Sequence, residues 1–356
     1  MVERSNLVKK KREKKSAPSV GNGGSVSTLQ MVAAEADVSP STVSRFLNGT
    51  ARVREHKALA IKAAIAKLQF LPNPVAQSLA RGQTMSVGVI TQDIGSPYYG
   101  EALVAIERGL LRAKYSPLFV SAHGREADER QRIDHLLGRR VDGIILLNSC
   151  LPDRELAQIS RSAPLVLTGR CVAGERIYCL DFDNTDGARL ATDYLIGQGH
   201  RKIAFIAGIA DHPDALQRFS GYKAALAAAK IPLVEHLIAP GEYSDAGGYA
   251  AMNRLLDSGK EFSAVFAAND QSGYGAMLAL YRRGVRVPEQ VSVVGFDDLP
   301  GSAYTIPPLT TIHRSTEVIG SRAAEAMIDL MEGRVPRSKV PPATLAVRDS
   351  TRPHRA

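Results

Sequence analysis

The sequence predicts an α plus α/β chain: a small three-helix domain at the N-terminus, then two doubly wound α/β subdomains. Three observations carry this. Short helical runs crowd into residues 28 to 70, nearly all-apolar β-type runs alternate with amphipathic helices over the rest, and the charge is segregated. Of the net charge of +9, residues 1 to 27 hold +5 and residues 28 to 82 hold +4, while the remaining 274 residues balance at 31 basic against 31 acidic. A basic end on a neutral body suggests an anionic partner for that end, either nucleic acid or a membrane surface.

Residues 1 to 27 join KKKREKK to a Gly/Ser stretch, which cannot bury enough apolar surface to offset ordering entropy and reads as a disordered basic tail. From Thr28 the pattern is TLQMVAAEA, a tight DVS, PSTVSRFLNG and a longer REHKALAIKAAIAKLQF. Thr28 and Ser39 can cap helix starts, and Pro40 suits a first helical position where no N–H is needed. Leu59, Ala63, Ala66 and Phe70 are expected on one buried face of the third helix. Two short helices joined by a tight turn describe a helix-turn-helix over residues 28–72, whose second helix would offer Ser41, Thr42 and Arg45 to base edges and phosphates. The octamer from Asn73 to Ala80 lies between Pro72 and Gly82 and is helix-compatible; residues 73–84 form the expected hinge helix and linker.

Beyond it, SVGVIT, PLFVSA, GIILL, LVLTG, CLDFD, KIAFIAG, AVFAA and VSVVGFDD read as strands of parallel sheets buried on both faces. Helices are expected over 99–114, 126–140, 184–198, 215–230, 244–258 and 270–284. No stretch is apolar and long enough for a membrane span, and no apolar leader follows the basic start, so the expected location is the cytoplasm, on the nucleoid. Cys150, Cys171 and Cys179 show no metal-ligand spacing and read as reduced thiols, with neither zinc nor a disulfide expected. Phosphate-loop, dinucleotide and zinc-protease motifs are missing, and the adjacent Asp297 and Asp298 make poor glycosidase geometry, so no enzyme and no cofactor are expected.

VSTLQMVAAEADVSPSTVSRFLNG, LQFLPNPVAQSLA, ANDQ, VSVVGFDD and PPLTT, taken together in this order and spacing, resemble the lactose-repressor family of transcription regulators from about Thr28 to about Asp349. The resemblance implies a recognition helix carrying Ser39, Pro40, Ser41, Thr42, Ser44 and Arg45, with Asn48 at its end. It also implies a hinge helix in which Asn73, Ala76, Gln77 and Leu79 act, Leu79 wedging into a minor-groove step. The body resembles periplasmic sugar-binding proteins, with an N-terminal effector subdomain at 85–182 plus 314–333 and a C-terminal one at 183–313 plus 334–350. Such folds hold ligands at the carboxyl ends of strands. Asp93, Tyr98, Tyr99, Asn148, Arg218, Tyr243, Asn269, Asp270 and Asp297 are placed there, with Arg218 and Asp297 as the principal polar pair and the tyrosines as walls.

The implied function is a homodimeric repressor of sugar-utilisation genes on a pseudo-palindromic operator, released by a small sugar. A purine or nucleoside effector acting as corepressor is the main alternative, and a solute-binding protein or sugar-modifying enzyme the remote one. Three departures stand out: Met31 where many members carry an acid, the extra basic tail, and Gly169-Arg170 where some members place an Asp. The chain ends in RDSTRPHRA without a leucine heptad, so a dimer and not a tetramer is expected.

Overall fold

The computed structural model describes residues 27–48, 51–71 and 82–354. The basic tail (residues 1–26) and the hinge positions Asn73, Ala76, Gln77 and Leu79 lie outside the described residues. The chain divides into two compact units, residues 1–82 and 83–356.

In the first unit, α1 (Leu29–Glu35), α2 (Pro40–Asn48) and α3 (Glu55–Leu68) enclose Val32, Ala33, Ala36, Val43, Ile61, Ala64 and Phe70. Thr28 caps α1 by accepting from the Met31 amide at 3.3 Å. Asp37, at φ 49°, turns the chain between α1 and α2, a left-handed position that Asp tolerates better than most residues. The expected buried face of α3 is wrong except at Phe70. Leu59 is 61% exposed and Ala63 and Ala66 face solvent, because the stripe that meets α1 runs through Ile61, Ala64, Ile65 and Leu68, about half a helical turn away.

In the second unit, the first sheet has the order β2-β1-β3-β4-β5, all parallel, from β1 (Ser86–Thr91), β2 (Ser116–Ser121), β3 (Gly143–Leu147), β4 (Leu165–Thr168) and β5 (Ile177–Leu180). Between them run α4 (Pro97–Arg112), α5 (Glu126–Gly138) and α6 (Asp153–Ile159). Alternation along the strands sorts the core into two layers. Val87, Val89, Ile145, Leu147 and Val166 face α4, while Ile90, Ile144, Leu146, Leu165 and Leu167 face α5 and α6.

The chain then crosses at Asp181 to Asp183, capped by Asp183, into α7 (Asn184–Gly197). The run CLDFD is therefore only half strand, since its two polar ends belong to this crossing. The second sheet follows with β6 (Ile203–Ala207), α8 (Pro213–Ala228), β7 (Ile238–Pro240), α9 (Asp245–Asp257), β8 (Ala264–Ala267), α10 (Asp270–Arg282), β9 (Ser292–Asp297) and β10 (Thr310–His313). Next comes α11 (Thr316–Met331), which returns to pack on α4 and the first sheet, and then β11 (Thr344–Ala346), antiparallel to β10. The order is β11-β10-β9-β8-β6-β7. Sequence periodicity misses β7, β10 and β11, which have only three or four residues and no apolar run, and among the helices it misses α6 and the longer α11. The other helix and strand ends fall within about two residues of expectation, the ordinary uncertainty of element boundaries.

Two glycines let α4 and α11 approach closely. A Cβ on Gly320 would lie 2.3 Å from the Ala102 carbonyl oxygen, and one on Gly109 2.6 Å from the Ala324 Cβ.

Candidate functional site

The parallel strands of both sheets in the second unit point their carboxyl ends at one cleft of about 430 Å³. On the first subdomain's side, β1 delivers Asp93, and α4 begins at Ser96 with Pro97 in the first turn, placing Tyr98 and Tyr99 at the wall. Asn148 follows β3 in a left-handed conformation, φ 60°. Tyr98 and Tyr99 meet edge to face at 4.8 Å. Burial pushes the Tyr98 phenol up to about 12, so it serves as a neutral hydrogen-bonding group.

From the second subdomain come Arg218 on α8, Tyr243 before α9, Asn269 as the cap of α10, accepting from the Ser272 amide at 3.0 Å, and Asp297 at the end of β9. Asp297 has φ 105° and Asp298 φ 55°, backbone strain of a kind that gathers at ligand sites.

The centre of the arrangement is a buried ion pair. Arg218 donates from Nη2 to Asp297 Oδ1 at 3.0 Å and from Nε to Asn184 Oδ1 at 3.0 Å, while its guanidinium lies over the Phe296 ring at 3.8 Å. A third member, Arg314, sits in the crossing before α11, stacked on Phe182 at 3.6 Å, with Nη2 3.7 Å from Asp297 Oδ1 and donating to the Tyr98 hydroxyl. Arg314 thus ties the first subdomain's Tyr98 to the second subdomain's Asn184 and Asp297. Burial pushes the Asp297 carboxyl up and the two guanidiniums pull it back. Burial opposes the charge on Arg218, yet Asp297 and the other acidic groups around it together outweigh that cost and hold the guanidinium protonated.

Eight of the nine residues expected at the effector site line the cleft. Asp270 does not. It is fully buried and accepts from the Leu299 amide (2.7 Å) and from the hydroxyls of Ser302 (2.6 Å) and Thr311 (2.5 Å), tying the start of α10 to β10 and to the loop after β9. As the first residue of a helix whose cap points into the cleft, its own side chain turns the other way. Sequence reasoning also passed over His212, Asp214, Gln271, Asn184 and Arg314. The run DHPDA after KIAFIAG carried a usable signal for the first two, because Pro213 at a helix start marks a strand-end loop. Nothing local marked Arg314, which reaches the site only through the crossing. The three cysteines are free thiols; Cys150 lines the cleft, and burial with a hydrogen bond to Glu129 pushes its thiol up to about 12.

In the first unit, Ser39, Pro40, Ser41 and Arg45 form an exposed edge at the start of α2. The Ser39 hydroxyl lies 2.9 Å from those of both Ser41 and Thr42, Arg45 Nε donates to the Ser41 carbonyl at 3.2 Å, and Asn48 Nδ2 donates to Ser44 Oγ at 3.3 Å. Hydroxyls, an amide and a guanidinium on one short helix are the groups that read base edges and phosphates.

A three-helix unit with this edge, on a chain whose body is a pair of α/β subdomains closing on a polar cleft, defines a ligand-responsive DNA-binding regulator. Residues 28–73 match the family described as bacterial regulatory proteins, lacI family, and residues 192–351 match the periplasmic binding protein-like domain. The chain belongs to the lacI family. It is 35% identical to the HTH-type transcriptional regulator GalR of Salmonella typhimurium over 316 residues, covering 88% of this chain and 92% of the relative. It is 37% identical to the HTH-type transcriptional regulator CelR of Thermobifida fusca, covering 86% and 92%. Among solved structures, the lac repressor dimer bound to operator and the anti-inducer ONPF superposes with a TM-score of 0.82 at 29% identity, covering 92% of this chain and 99% of that one. A CelR–cellobiose complex gives 0.67 at 33% identity, covering 91% and 99%. These relatives are named as transcription regulators, not enzymes.

Proposed function

We propose that the chain is a homodimeric repressor of sugar-utilisation genes that binds a pseudo-palindromic operator and releases it when a small sugar enters the cleft. The observation that carries the reading is the buried Arg218–Asp297 pair on the second subdomain's side of the cleft, with Asn148 of the first subdomain, Asn269 and the ring of Tyr243 around it. Paired donors and acceptors beside aromatic rings suit a polyol, whose hydroxyls both donate and accept and whose C–H face is apolar. Tyr243 Oη and Arg314 Nε are buried and have no hydrogen-bond partner among the described residues, which leaves polar capacity beside the cleft.

The reading assigns Thr28, Ser39, Pro40, Ser41, Thr42, Ser44, Arg45 and Asn48 to operator contact, with Asn73, Ala76, Gln77 and Leu79 as the hinge. Dimerisation is supported by the likeness to the lac repressor, whose operator-bound structure is a dimer. The effector acts by differential affinity for two subdomain arrangements, only one of which pairs the hinges on DNA. The protein works in the cytoplasm, on the nucleoid, and needs no cofactor besides its effector.

A thermal-shift screen of neutral sugars against nucleobases and nucleosides, followed by a gel shift on the gene's upstream DNA, tests the reading. A sugar should raise the melting temperature and abolish a specific band. Stabilisation by purines alone would replace the sugar with the purine alternative.

A further inference from the structure

We propose that Asp214 makes the cleft select by charge, admitting uncharged or cationic polyols and rejecting phosphorylated and carboxylated sugars. This rests on the reading of the cleft as the effector site. The lining includes four carboxylates, Asp93, Asp214, Glu242 and Asp297, against the single guanidinium of Arg218.

That guanidinium is already committed, with Nε on Asn184, Nη1 on the Ala268 carbonyl and Nη2 on Asp297. Arg314, the nearby second cation, spends its Nη atoms on Asn184 and the Tyr98 hydroxyl. Asp297 therefore faces two cations, whereas Asp93, Asp214 and Glu242 make no ion pair among the described residues. His212, beside Asp214, has its pKa lowered by burial and so adds no positive charge at neutral pH.

Asp214 is the best placed of the three. It is 5% exposed, yet it lines the cleft from the first turn of α8. Its Oδ2 accepts from Asn148 Nδ2 of the first subdomain at 3.2 Å, so the carboxylate stands where the two subdomains meet. Its Oδ1 has no donor among the described residues and is open to a hydroxyl or an ammonium, a charge-assisted bond in either case. The start of α8, which would otherwise attract an anion, is already matched by Asp214 itself. An anionic ligand would meet this carboxylate at close range, and the two nearby guanidiniums already share Asp297 as their counter-charge. Specificity then arises from a built-in repulsion as much as from attraction.

The test measures binding to the full chain by calorimetry, with glucose, galactose, ribose and cellobiose set against their phosphate esters, the corresponding uronic acids and glucosamine. Any neutral sugar that binds should bind on the order of a hundredfold more tightly than its anionic forms, the size expected for two like charges close together in a partly desolvated site. In Asp214→Asn the gap should shrink to a few-fold. A phosphorylated or carboxylated sugar binding the wild type as tightly as its neutral parent would overturn the proposal. So would an Asp214→Asn variant that binds the neutral sugar and keeps the full gap. Response to nucleosides with silence from every sugar would instead remove the sugar reading beneath it, which separates the two failures.

Discussion

Asp297 is the residue whose removal most sharply tests how the cleft is built. In Asp297→Ala the Arg218 guanidinium, 3% exposed and 3.0 Å from the carboxylate, and that of Arg314, 2% exposed and 3.7 Å away, lose their shared counter-charge. At an effective dielectric of about 20, one such contact near 4 Å is worth about 4 kcal/mol before desolvation is considered. Removing one partner of a buried pair costs roughly 3 to 5 kcal/mol, because the remaining charge stays buried. The variant should therefore lose effector binding and, in addition, melt on the order of 10 °C lower, at roughly 2 to 4 °C per kcal/mol for a body of this size. Urea titration followed by far-UV circular dichroism, at fixed protein concentration, would measure the loss. Glu261→Ala breaks the exposed Lys202–Glu261 pair, whose side chains are 60% and 84% exposed, and should leave the midpoint in place. A loss below about 1 kcal/mol in Asp297→Ala would refute the argument, since it would mean that water already screens the pair.

Arg45→Ala should weaken operator binding by about 1 to 3 kcal/mol and relax base preference at one position per half-site if the fork reads a base; an equal loss on every sequence, measured by competition gel shift, would make it a phosphate contact. Burial raises the Asp270 carboxyl from 3.8 to about 7, so between those values the folded state holds more protons than the unfolded one and stability falls as pH rises. Melting curves from pH 5 to 8 should show wild type losing ground to Asp270→Asn, and parallel curves would contradict this. Gly320→Ala puts a methyl 2.3 Å from the Ala102 carbonyl, which forces α4 and α11 apart at roughly 1 to 3 kcal/mol; an unchanged melting temperature would show that the helices part freely.

The architecture was legible because burial on both faces of a parallel sheet demands nearly continuous apolar runs, and SVGVIT, GIILL, KIAFIA and SVVGF supply them. The short strands β7, β10 and β11 escaped for the same reason, since TTIH and TLA carry no such run. Among site residues, those following a strong strand were found, Asn148, Asn269 and Asp297 among them. Arg314 was missed because it belongs to a crossing and Asn184 because it opens the helix just after one, positions that depend on three-dimensional closure and not on local pattern. Asp270 was misplaced through adjacency: successive residues at a helix start diverge in direction, so one caps toward the cleft while the next anchors β10 and the loop after β9.

The return of α11 to the first sheet also sets an order of events during synthesis. The Thr316 hydroxyl donates to Glu101 across 215 residues of chain, and Met327 completes a core layer begun at Val87. At about 5 to 20 residues per second, the ribosome needs on the order of 10 to 40 seconds to make that interval. During this time the surface of α4 that α11 will cover is exposed, and the nascent first subdomain is a natural client for chaperones.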